Sequence, residues 1–594
     1  MRTWPHRALF GTARTFVEAR SIKPILVGLL LAALVAPTSL SHAADDAPPA
    51  KGTLRIFITD GESGAPSPAR LEVLDASGDS HVPSDALPAP GECSRAKAVP
   101  WWNELSSDEQ FPRSIVLPYT PTSSMHFYAL ENGVELQLKP GKYEVVAQKG
   151  PEYRIASTTV EIGAGKTEEL ALTVERWTDM AKRGWFSADD HLHITRTSAH
   201  ANEFLVRWFE AEDLNVACLL EMGSYKGLVS APQYAFGKDG TFLKGRRLLV
   251  SGQENPRTWL LGHGIILGAG NYIDFPKRYL IYSEYWREAE RQNAINGYAH
   301  WGVGPGFALD LPEGNLEFVE LLQRDATILE PYYRGLNLGA RLSATAGADY
   351  PCIPWGAPGR NRFYTRVDGA LSEASWLEGI RRGRTFVTNG PMLEFRAGNS
   401  QIGDTIEFDT PLPVALSFVV EFDPDRDAVD AAEILHDGQV VATQSKLAGP
   451  GRLVLEATVS ITSSGWLAAR TEGRKLRDDP EFGKPLRSIA HTAPIYLRHR
   501  PQEKPDTPAA RSAAAASLEL LEKLEAALIA GYQKPKKVSP ILLGFDGRQV
   551  LWNAGTLFEE IEESVAFYET IAGPSESVDR SPSDAPAAEP SPAP

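Results

Sequence analysis

Residues Gly184 to His193 read Gly-Trp-Phe-Ser-Ala-Asp-Asp-His-Leu-His, and the expected fold and site both depend on this stretch. Its apolar opening fits a short buried strand. Side chains alternate along a strand, so His191 and His193 are expected to project from one face. Two imidazoles placed in this way can hold one divalent ion. Asp189 falls on the same face, where it could orient a ligand or bridge a second ion; two ordinary structural histidines are the alternative.

The bulk properties of the chain narrow the choice of partners and ligands. With 594 residues it is too long for one ordinary core, so three or four domains are expected. The net charge is −16 with a pI near 5.4, and no basic block stands out, which argues against nucleic acid as a partner. Cys93, Cys218 and Cys352 are the only cysteines, so neither a disulfide framework nor a Cys-x-x-Cys zinc site is expected. Any metal site must use His and carboxylates.

A signal peptide is predicted at the N-terminus. Basic residues precede an apolar run from Ile25 to Ala36, and Ser41-His42-Ala43 follows it. The run is shorter than the about twenty residues that a bilayer requires, so no membrane span is expected after signal cleavage. Cleavage near Ala43 predicts a periplasmic or secreted protein.

Changes in residue pattern predict the division of the chain. Alternating strands indicate β-sandwiches, while interleaved strands and helices indicate an α/β domain with ligands at the carboxyl ends of its strands. The predicted segments are a signal peptide (1–43), a linker (44–52), an N-terminal β-sandwich (53–176), an α/β domain (177–391), a C-terminal β domain (392–500), a helical tail (501–572) and a disordered tail (573–594).

The helical tail is predicted to contain two helices. Thr507 can cap the first with Pro508 at its first position, and Gly531 is its predicted end. The second runs from about Thr556 to Ile571. Both are expected to pack against the α/β domain or against a neighbouring subunit. In the second case the protein would form an oligomer through these helices.

More polar side chains lie at or beside the predicted strand ends of segment 177–391. Glu254, His263, His300 and Asp349 each adjoin an apolar run and a turn. A single histidine of this kind is more often structural. Together with the His-x-His pair, however, the set offers the imidazole and carboxylate ligands that borderline cations prefer. A metal centre at the strand ends is therefore predicted.

Several segments together resemble the PHP (polymerase and histidinol phosphatase) superfamily, and most closely its carbaryl hydrolase-like (CehA/McbA-type) branch of secreted metallohydrolases. The resemblance runs from about Gly184 to His499. It implies a distorted (β/α)7 PHP-type barrel over 177–391, flanked by the two β domains, with metals at the strand ends. The segments are Ala188-Asp-Asp-His-Leu-His193, Ser251-Gly-Gln-Glu254, Gly262-His-Gly264, Ala299-His-Trp-Gly302, Ala346-Gly-Ala-Asp-Tyr-Pro351, Arg382-Gly-Arg-Thr-Phe-Val-Thr-Asn-Gly-Pro391 and Gly465-Trp-Leu-Ala-Ala-Arg470.

Carried over position by position, the resemblance implies a set of metal ligands and one neighbour of the metals. The implied ligands are His191, His193, Glu254, His300 and Asp349, with His263 at or beside the metals. Two positions depart from the superfamily pattern: Leu220-Glu221 replaces Asp-His, and Asp349-Tyr350-Pro351 replaces Asp-x-His. One or two divalent ions (Zn, Mn or Fe) are therefore expected rather than three, with Glu221 as a candidate substitute ligand.

The expected chemistry is hydrolysis. A metal-activated water would attack an ester, carbamate/amide or phosphoester bond, and His263 or Asp189 would move the proton. The alternative is a catalytically inactive secreted binding protein on the same PHP-like scaffold. A sugar-active enzyme with two carboxylates is a third option, for which Glu320 and Glu330 are the only nearby candidates, and structural roles are preferred for both.

A small-molecule substrate is the expected partner. Arg257, Tyr333, Asn337 and Arg341 lie close in sequence to the ligand segments and are predicted to contact it, although packing roles fit them equally well. Several basic residues around the metals would favour phosphate, and an aromatic wall around Trp301, Tyr332 and Tyr333 would favour a neutral aryl substrate.

Overall fold

The computed structural model describes residues 50–89, 111–117, 125–300, 304–324, 326–353, 357–476, 487–501 and 506–573. The predicted signal peptide, and the predicted disordered tail from residue 574 onward, lie outside these ranges. Within them the protein is a mixed α/β structure dominated by sheets, which confirms the class predicted from sequence.

The strands are numbered along the chain. They are β1 (Gly52–Asp60), β2 (Ala69–Asp75), β3 (Leu87–Pro88), β4 (Ser114–Leu117), β5 (His126–Ala129), β6 (Val134–Leu138), β7 (Gly141–Gln148), β8 (Ala156–Ile162), β9 (Thr167–Val174), β10 (Trp185–Leu192), β11 (Val216–Met222), β12 (Phe242–Lys244), β13 (Arg247–Thr258), β14 (Gly262–Leu267), β15 (Ile295–Tyr298), β16 (Phe318–Gln323), β17 (Ala326–Thr327), β18 (Ser343–Ala346), β19 (Arg362–Arg366), β20 (Thr385–Thr388), β21 (Met392–Ala397), β22 (Ser400–Gln401), β23 (Thr405–Phe408), β24 (Leu412–Glu421), β25 (Asp427–His436), β26 (Gln439–Gln444), β27 (Arg452–Ile461), β28 (Gly465–Lys475), β29 (Arg487–Thr492) and β30 (Ile495–His499).

The α-helices are numbered in the same way. They are α1 (Ala201–Ala211), α2 (Gly237–Gly240), α3 (Tyr282–Arg291), α4 (Pro305–Asp310), α5 (Leu329–Asn337), α6 (Glu373–Arg381), α7 (Pro508–Gln533), α8 (Pro540–Leu543) and α9 (Gly547–Ala572).

Strands β1 to β9 form two sheets, with the orders β6-β1-β9 and β3-β4-β5-β2-β7-β8. Leu54, Ile56 and Ile58 of β1 are buried and alternate with half-buried residues. They share one apolar core with Leu71 and Val73 of the other sheet. Because successive side chains of a strand face opposite ways, one face of each sheet supplies this core.

A longer sheet carries the predicted ligands. Strands β10, β11 and β13 pair in parallel, β13–β14 and β14–β15 pair antiparallel, and β15, β16 and β18 again pair in parallel. An isolated bridge joins Leu192 to Tyr350, beyond the end of β18. Among the described strands, however, no ladder joins β10 to β18, so the pairing does not close a barrel. The barrel implied by the resemblance remains a prediction.

Strand β11 is buried on both of its faces. All of its residues are buried, and alternate side chains enter different cores. Cys218 lies in the core that contains Trp286 of α3, whereas Leu219 lies in the core that contains Trp208 of α1. Helices thus cover both faces, as is usual for parallel strands.

The same sheet continues beyond the α/β segment. Strand β19 pairs with both β10 and β20, and β20 pairs with β29. From β29 the sheet extends through β28 to β25 and β26, and β30 and β23 complete it. A separate four-stranded sheet, β22-β21-β24-β27, packs on it over an apolar core. Hydrogen bonds between strands therefore cross the predicted domain boundary at residue 391. The boundary itself stays a prediction.

The tail helices pack on each other and on the same chain. Leu521, Leu524 and Leu528 of α7 are buried in the core of the α/β segment. Thr507 accepts a hydrogen bond from the Ala510 amide at 3.1 Å, which confirms the predicted cap. The helix runs two residues past the predicted end at Gly531. No helix in the described ranges is both long enough and apolar enough to cross a bilayer.

Candidate metal centre

Five predicted ligands lie in or just after four different strands. His191 belongs to β10 and His193 follows it, Glu254 lies in β13, His300 follows β15, and Asp349 follows β18. The fold brings all five together in the interior. Every one of their side chains is buried or nearly so.

Two groups of these side chains have the spacing of metal ligands. In the first, His191 Nε2 and His193 Nε2 lie 3.1 Å apart, and Asp349 Oδ1 lies 3.4 Å from each. In the second, Glu254 Oε1 lies 3.8 Å from His191 Nε2 and 3.7 Å from His300 Nε2. Both are buried groups that could hold a metal ion.

The outer nitrogens of the histidine pair are already engaged. His191 Nδ1 lies 3.2 Å from Glu320 Oε2, and His193 Nδ1 lies 3.2 Å from the Leu220 carbonyl oxygen. A carboxylate and a carbonyl can only accept, so each Nδ1 donates, and each ring in its neutral form turns a lone pair inward from Nε2. Two lone pairs and a carboxylate oxygen then meet in a buried space. This set of potential metal ligands fits a cation, because the inward lone pairs and the carboxylate oxygen repel one another when no cation lies between them.

Glu254 contributes a further acceptor. Its Oε2 atom is buried and accepts no hydrogen bond, although it lies 3.5 Å from His193 Nε2 and 3.2 Å from Arg257 Nε. Burial raises the pKa of Glu254, but Arg257 and His263 outweigh it, so that pKa lies well below its ordinary value. Glu254 is therefore a carboxylate whose Oε2 lies close to both Arg257 and His193.

Charge in the cluster favours a cation at its centre. Burial lowers the pKa of His191, but the carboxylates of Glu320 and Asp349 outweigh burial and place that pKa well above its ordinary value. Burial raises the pKa of Asp349, and His191 and His193 reverse the effect. The surrounding carboxylates thus attract positive charge to this space, which a proton or a metal ion can supply.

His263 stands beside the cluster as a neutral base. It lies at the start of β14, and its Nδ1 donates to Glu254 Oε1 at 2.7 Å. Burial lowers its pKa to about 4, with Glu254 opposing. Its ring packs against those of His300 and Trp259, with centroids 5.1 and 5.4 Å away.

The backbone is unusual at two of the ligands. His300 has a φ of 25° and Asp349 a φ of 50°, values that non-glycine residues seldom adopt. Such backbone angles cost energy and concentrate at functional sites. Here they occur where the chain leaves β15 and β18 and turns its side chains toward the cluster.

Sequence reasoning set aside Glu320, which the structure places at the centre. This carboxylate is fully buried in β16, and its Oε2 also accepts from the His300 amide at 2.8 Å. One side chain therefore orients two ligands. Gly347 makes room for it, because a Cβ there would lie 2.8 Å from oxygens of both Glu320 and Asp190. An acidic residue inside the apolar run Phe318–Gln323 was the available signal.

Asp189 does not face the cluster as its alternation predicted. Its Oδ1 accepts from the amides of His191 and Ala348 at 3.0 and 3.1 Å, and its Oδ2 accepts from the Gly359 amide at 2.7 Å. Burial raises its pKa to about 7, while these amides act to lower it. The pairing of β10 with β11 shifts register between Asp189 and Leu192, so strict alternation does not extend to the end of the strand. Asp189 ties chain segments together, and its catalytic role remains a prediction.

The four predicted substrate contacts separate in space. Arg257 adjoins Glu254, as given above. Tyr333 donates its hydroxyl hydrogen bond to His491 Nε2 at 2.7 Å, and Asn337 Oδ1 accepts from Trp466 Nε1 at 2.8 Å. Arg341 hydrogen-bonds Thr405 and Gly403 and stacks on Tyr496. The last three contact the C-terminal strands, and a substrate role for them remains a prediction.

Two further candidates are placed away from the ligand groups. Glu221 accepts a hydrogen bond from the Gln233 amide at 2.9 Å and belongs to neither group of potential ligands. Trp301, a candidate for an aromatic wall, lies outside the described residues. Tyr332, named with it, is buried and donates to the Leu342 carbonyl.

Comparison with known proteins does not assign this chain to a family. No protein-family model matches the chain, and no curated protein matches it.

Proposed function

We propose that this protein is a secreted or periplasmic metal-dependent hydrolase of small molecules, built on a distorted (β/α)7 barrel. The bond would be an ester, a carbamate/amide or a phosphoester. The observation that carries the proposal is the convergence of His191 Nε2, His193 Nε2 and Asp349 Oδ1 within 3.4 Å, with both Nδ1 atoms donating outward.

The number of ions follows from how the two ligand groups overlap. Both contain His191, and one imidazole nitrogen binds one ion. As they stand, the groups therefore describe one ion with alternative partners. A second ion would need a further ligand, and Glu254, whose Oε2 makes no hydrogen bond, could supply it. One or two ions of the zinc, manganese or iron type fit this mixture of imidazole and carboxylate ligands.

The chemistry divides between the ion and the chain. A bound divalent ion lowers the pKa of a coordinated water to about 7 and polarises the bond under attack. Glu320 holds the ring of His191 through Nδ1 and the backbone of His300 through its amide. His263 is neutral at pH 7 and can take up a proton at Nε2, because its Nδ1 is committed to Glu254. Arg257 can neutralise an anionic substrate group or a developing oxyanion.

Two features bear on compartment and substrate. Cys352 is disulfide-bonded, a pairing that the cysteine spacing did not predict and that suits an oxidising compartment. Arg257 is one basic side chain at the cluster, and Trp259, 66% exposed, is one aromatic beside it. This mixture favours a substrate with an aryl or other apolar part and a single polar reacting group.

Metal content and hydrolysis, measured together, test the proposal. The wild-type protein should bind at least one ion per chain and hydrolyse part of a panel of aryl esters, aryl carbamates and phosphoesters. His191→Ala and Asp349→Ala should lose both properties. His81→Ala, a histidine of the N-terminal sheets that pairs with Asp75, should lose neither. Less than one ion per chain, unchanged by His191→Ala, would instead support the inactive binding protein.

A further inference from the structure

A second cavity of about 900 Å³ lies away from the candidate metal centre. It is bounded by α5, by the turn between β25 and β26, and by the first turns of α7. Tyr333 and Asn337, both predicted from sequence to contact a substrate, line this cavity. No member of the two ligand groups does.

The walls of this cavity are largely apolar. Leu329 and Val441 form two sides, and Ala509, Ala513 and Ala516 form a third along α7. Residues three and four apart share a helix face, so these small side chains lie in one row. The row leaves open a space that larger side chains would fill.

A buried, poorly paired cation lines the cavity. Arg334 is 7% exposed, and its Nε atom makes no hydrogen bond. Its charged partner is Glu330, whose Oε1 lies 3.5 Å from Arg334 Nη1 but whose side chain is 70% exposed. A pair of this kind is weak because water screens the exposed member. Burial lowers the pKa of Arg334, with Glu330 opposing.

The remaining polar groups define what the cavity can accept. The N-terminus of α7 directs the positive end of a 26-residue helix toward it. Ser512 adds a hydroxyl group, and His436 Nε2 makes no hydrogen bond. The second acidic residue, Asp437, already accepts from the Trp466 amide at 2.9 Å. Asp437 Oδ2 also lies 3.8 Å from His436 Nε2, which leaves Arg334 as the buried cation of the lining.

We propose that this cavity binds a small organic acid, a molecule with one carboxylate and an apolar body, whose carboxylate pairs with Arg334. The apolar body packs against Leu329, Val441 and the alanine row of α7. Glu330 competes with the ligand for the guanidinium. The site is independent of the metal centre, so the proposal stands or falls separately from the hydrolase function.

Calorimetric titration of the purified full-length protein tests this site with phenylacetate and hexanoate as probes. Phenylacetamide, which has the same shape but no charge, is the matched control ligand. Arg334→Met keeps the side chain long and removes the charge, and it should weaken phenylacetate binding at least about tenfold. Ser512→Trp fills the cavity from an exposed position and should abolish binding. Glu330→Gln removes the competitor and should tighten binding severalfold.

The outcomes separate clearly. Retained binding in His191→Ala, with loss in Arg334→Met and Ser512→Trp, would establish a site distinct from the metal centre. Equal affinity for phenylacetamide, loss of binding in His191→Ala, or no binding of either acid at millimolar concentration would overturn the proposal. If Arg334→Met does not fold, Ser512→Trp and Glu330→Gln decide, and unchanged affinity in both would refute the site.

Discussion

Glu320→Gln is the most informative substitution, because Glu320 contacts two proposed ligands and would itself bind no ion. Its Oε2 accepts from His191 Nδ1 at 3.2 Å and from the His300 amide at 2.8 Å. Glutamine keeps the shape and can still accept a hydrogen bond, but it removes the negative charge that makes His191 a stronger donor of its lone pair. The variant should fold and should bind metal more weakly.

The size of the effect can be bounded from the two distances. Loss of an outer partner of a metal-bound histidine typically costs about 10- to 100-fold in metal affinity, or about 1.4–2.7 kcal/mol. The His191 contact at 3.2 Å is longer than the about 2.7–2.9 Å of a strong charge-assisted bond. The lower half of that range, about 10- to 30-fold, is therefore expected.

Competition against a chelator of known affinity measures this change directly. Glu317→Gln is a matched control, because Glu317 immediately precedes the same strand but pairs with Arg381 and the Asn296 amide. It should leave metal affinity within about threefold of wild type. If Glu320→Gln folded normally and bound metal as tightly as Glu317→Gln, the argument that Glu320 orients the ligands would be refuted.

Three other expectations follow from the same geometry. Asp349→Ala should reduce bound metal below half an ion per chain, and added metal should no longer raise its thermal unfolding midpoint. A midpoint that still rose with metal would exclude Asp349 as a ligand. His263→Gln should retain metal and KM but lose about 10²–10⁴-fold in kcat, as measured on the best panel substrate, if His263 carries the proton. Burial raises the pKa of Asp310 to about 8, where it accepts from Trp286 and Tyr298 at 2.6 and 2.7 Å. The folded state thus holds this proton more tightly than the unfolded chain, so the stabilisation is complete below about pH 4 and is lost as pH rises toward 8. Asp310→Asn has no proton to lose at this position. Between about pH 4 and pH 8 its free energy of unfolding, measured in urea, should rise relative to wild type by up to about 1.4 kcal/mol per pH unit. Parallel pH profiles of the two proteins would contradict this.

The ligand positions were predictable from sequence because they depend on local pattern. His191 and His193 follow an apolar strand, and Glu254 and Asp349 lie beside turns that end apolar runs. Parallel strands bring such ends to one edge of a sheet, so the convergence follows from the α/β class. The class itself followed from strands that alternate with helical segments.

The surroundings of the predicted substrate contacts could not be derived from the sequence, because sequence neighbours are not always neighbours in space. Tyr333, Asn337 and Arg341 lie within twenty residues of Asp349 in the chain, yet α5 turns the first two toward the second cavity. Arg341 meets Tyr496, which is 155 positions away in sequence, at 4.0 Å. Contacts of that range depend on how the C-terminal strands pack, and no local pattern specifies it.

Glu320 was undervalued for a related reason. A lone acid within an apolar strand indicates burial with a partner, but it does not say which partner. Only the pairing of β16 with β15 and β18 places Glu320 under His191 and His300. The contacts of Asp189 were not predictable either, because the pairing of β10 is irregular near its end and the Asp189 carboxylate accepts from the amides of His191, Ala348 and Gly359.

The pairing of β20 with β29 has a practical consequence for dissecting the protein. Ending the polypeptide at residue 391 would strip the partner from Phe386, Val387 and Thr388 and leave an uncovered strand edge, which invites aggregation. The two regions should therefore melt as one cooperative unit. Attempts to express the region up to residue 391 by itself should yield insoluble material unless residues up to His499 are retained.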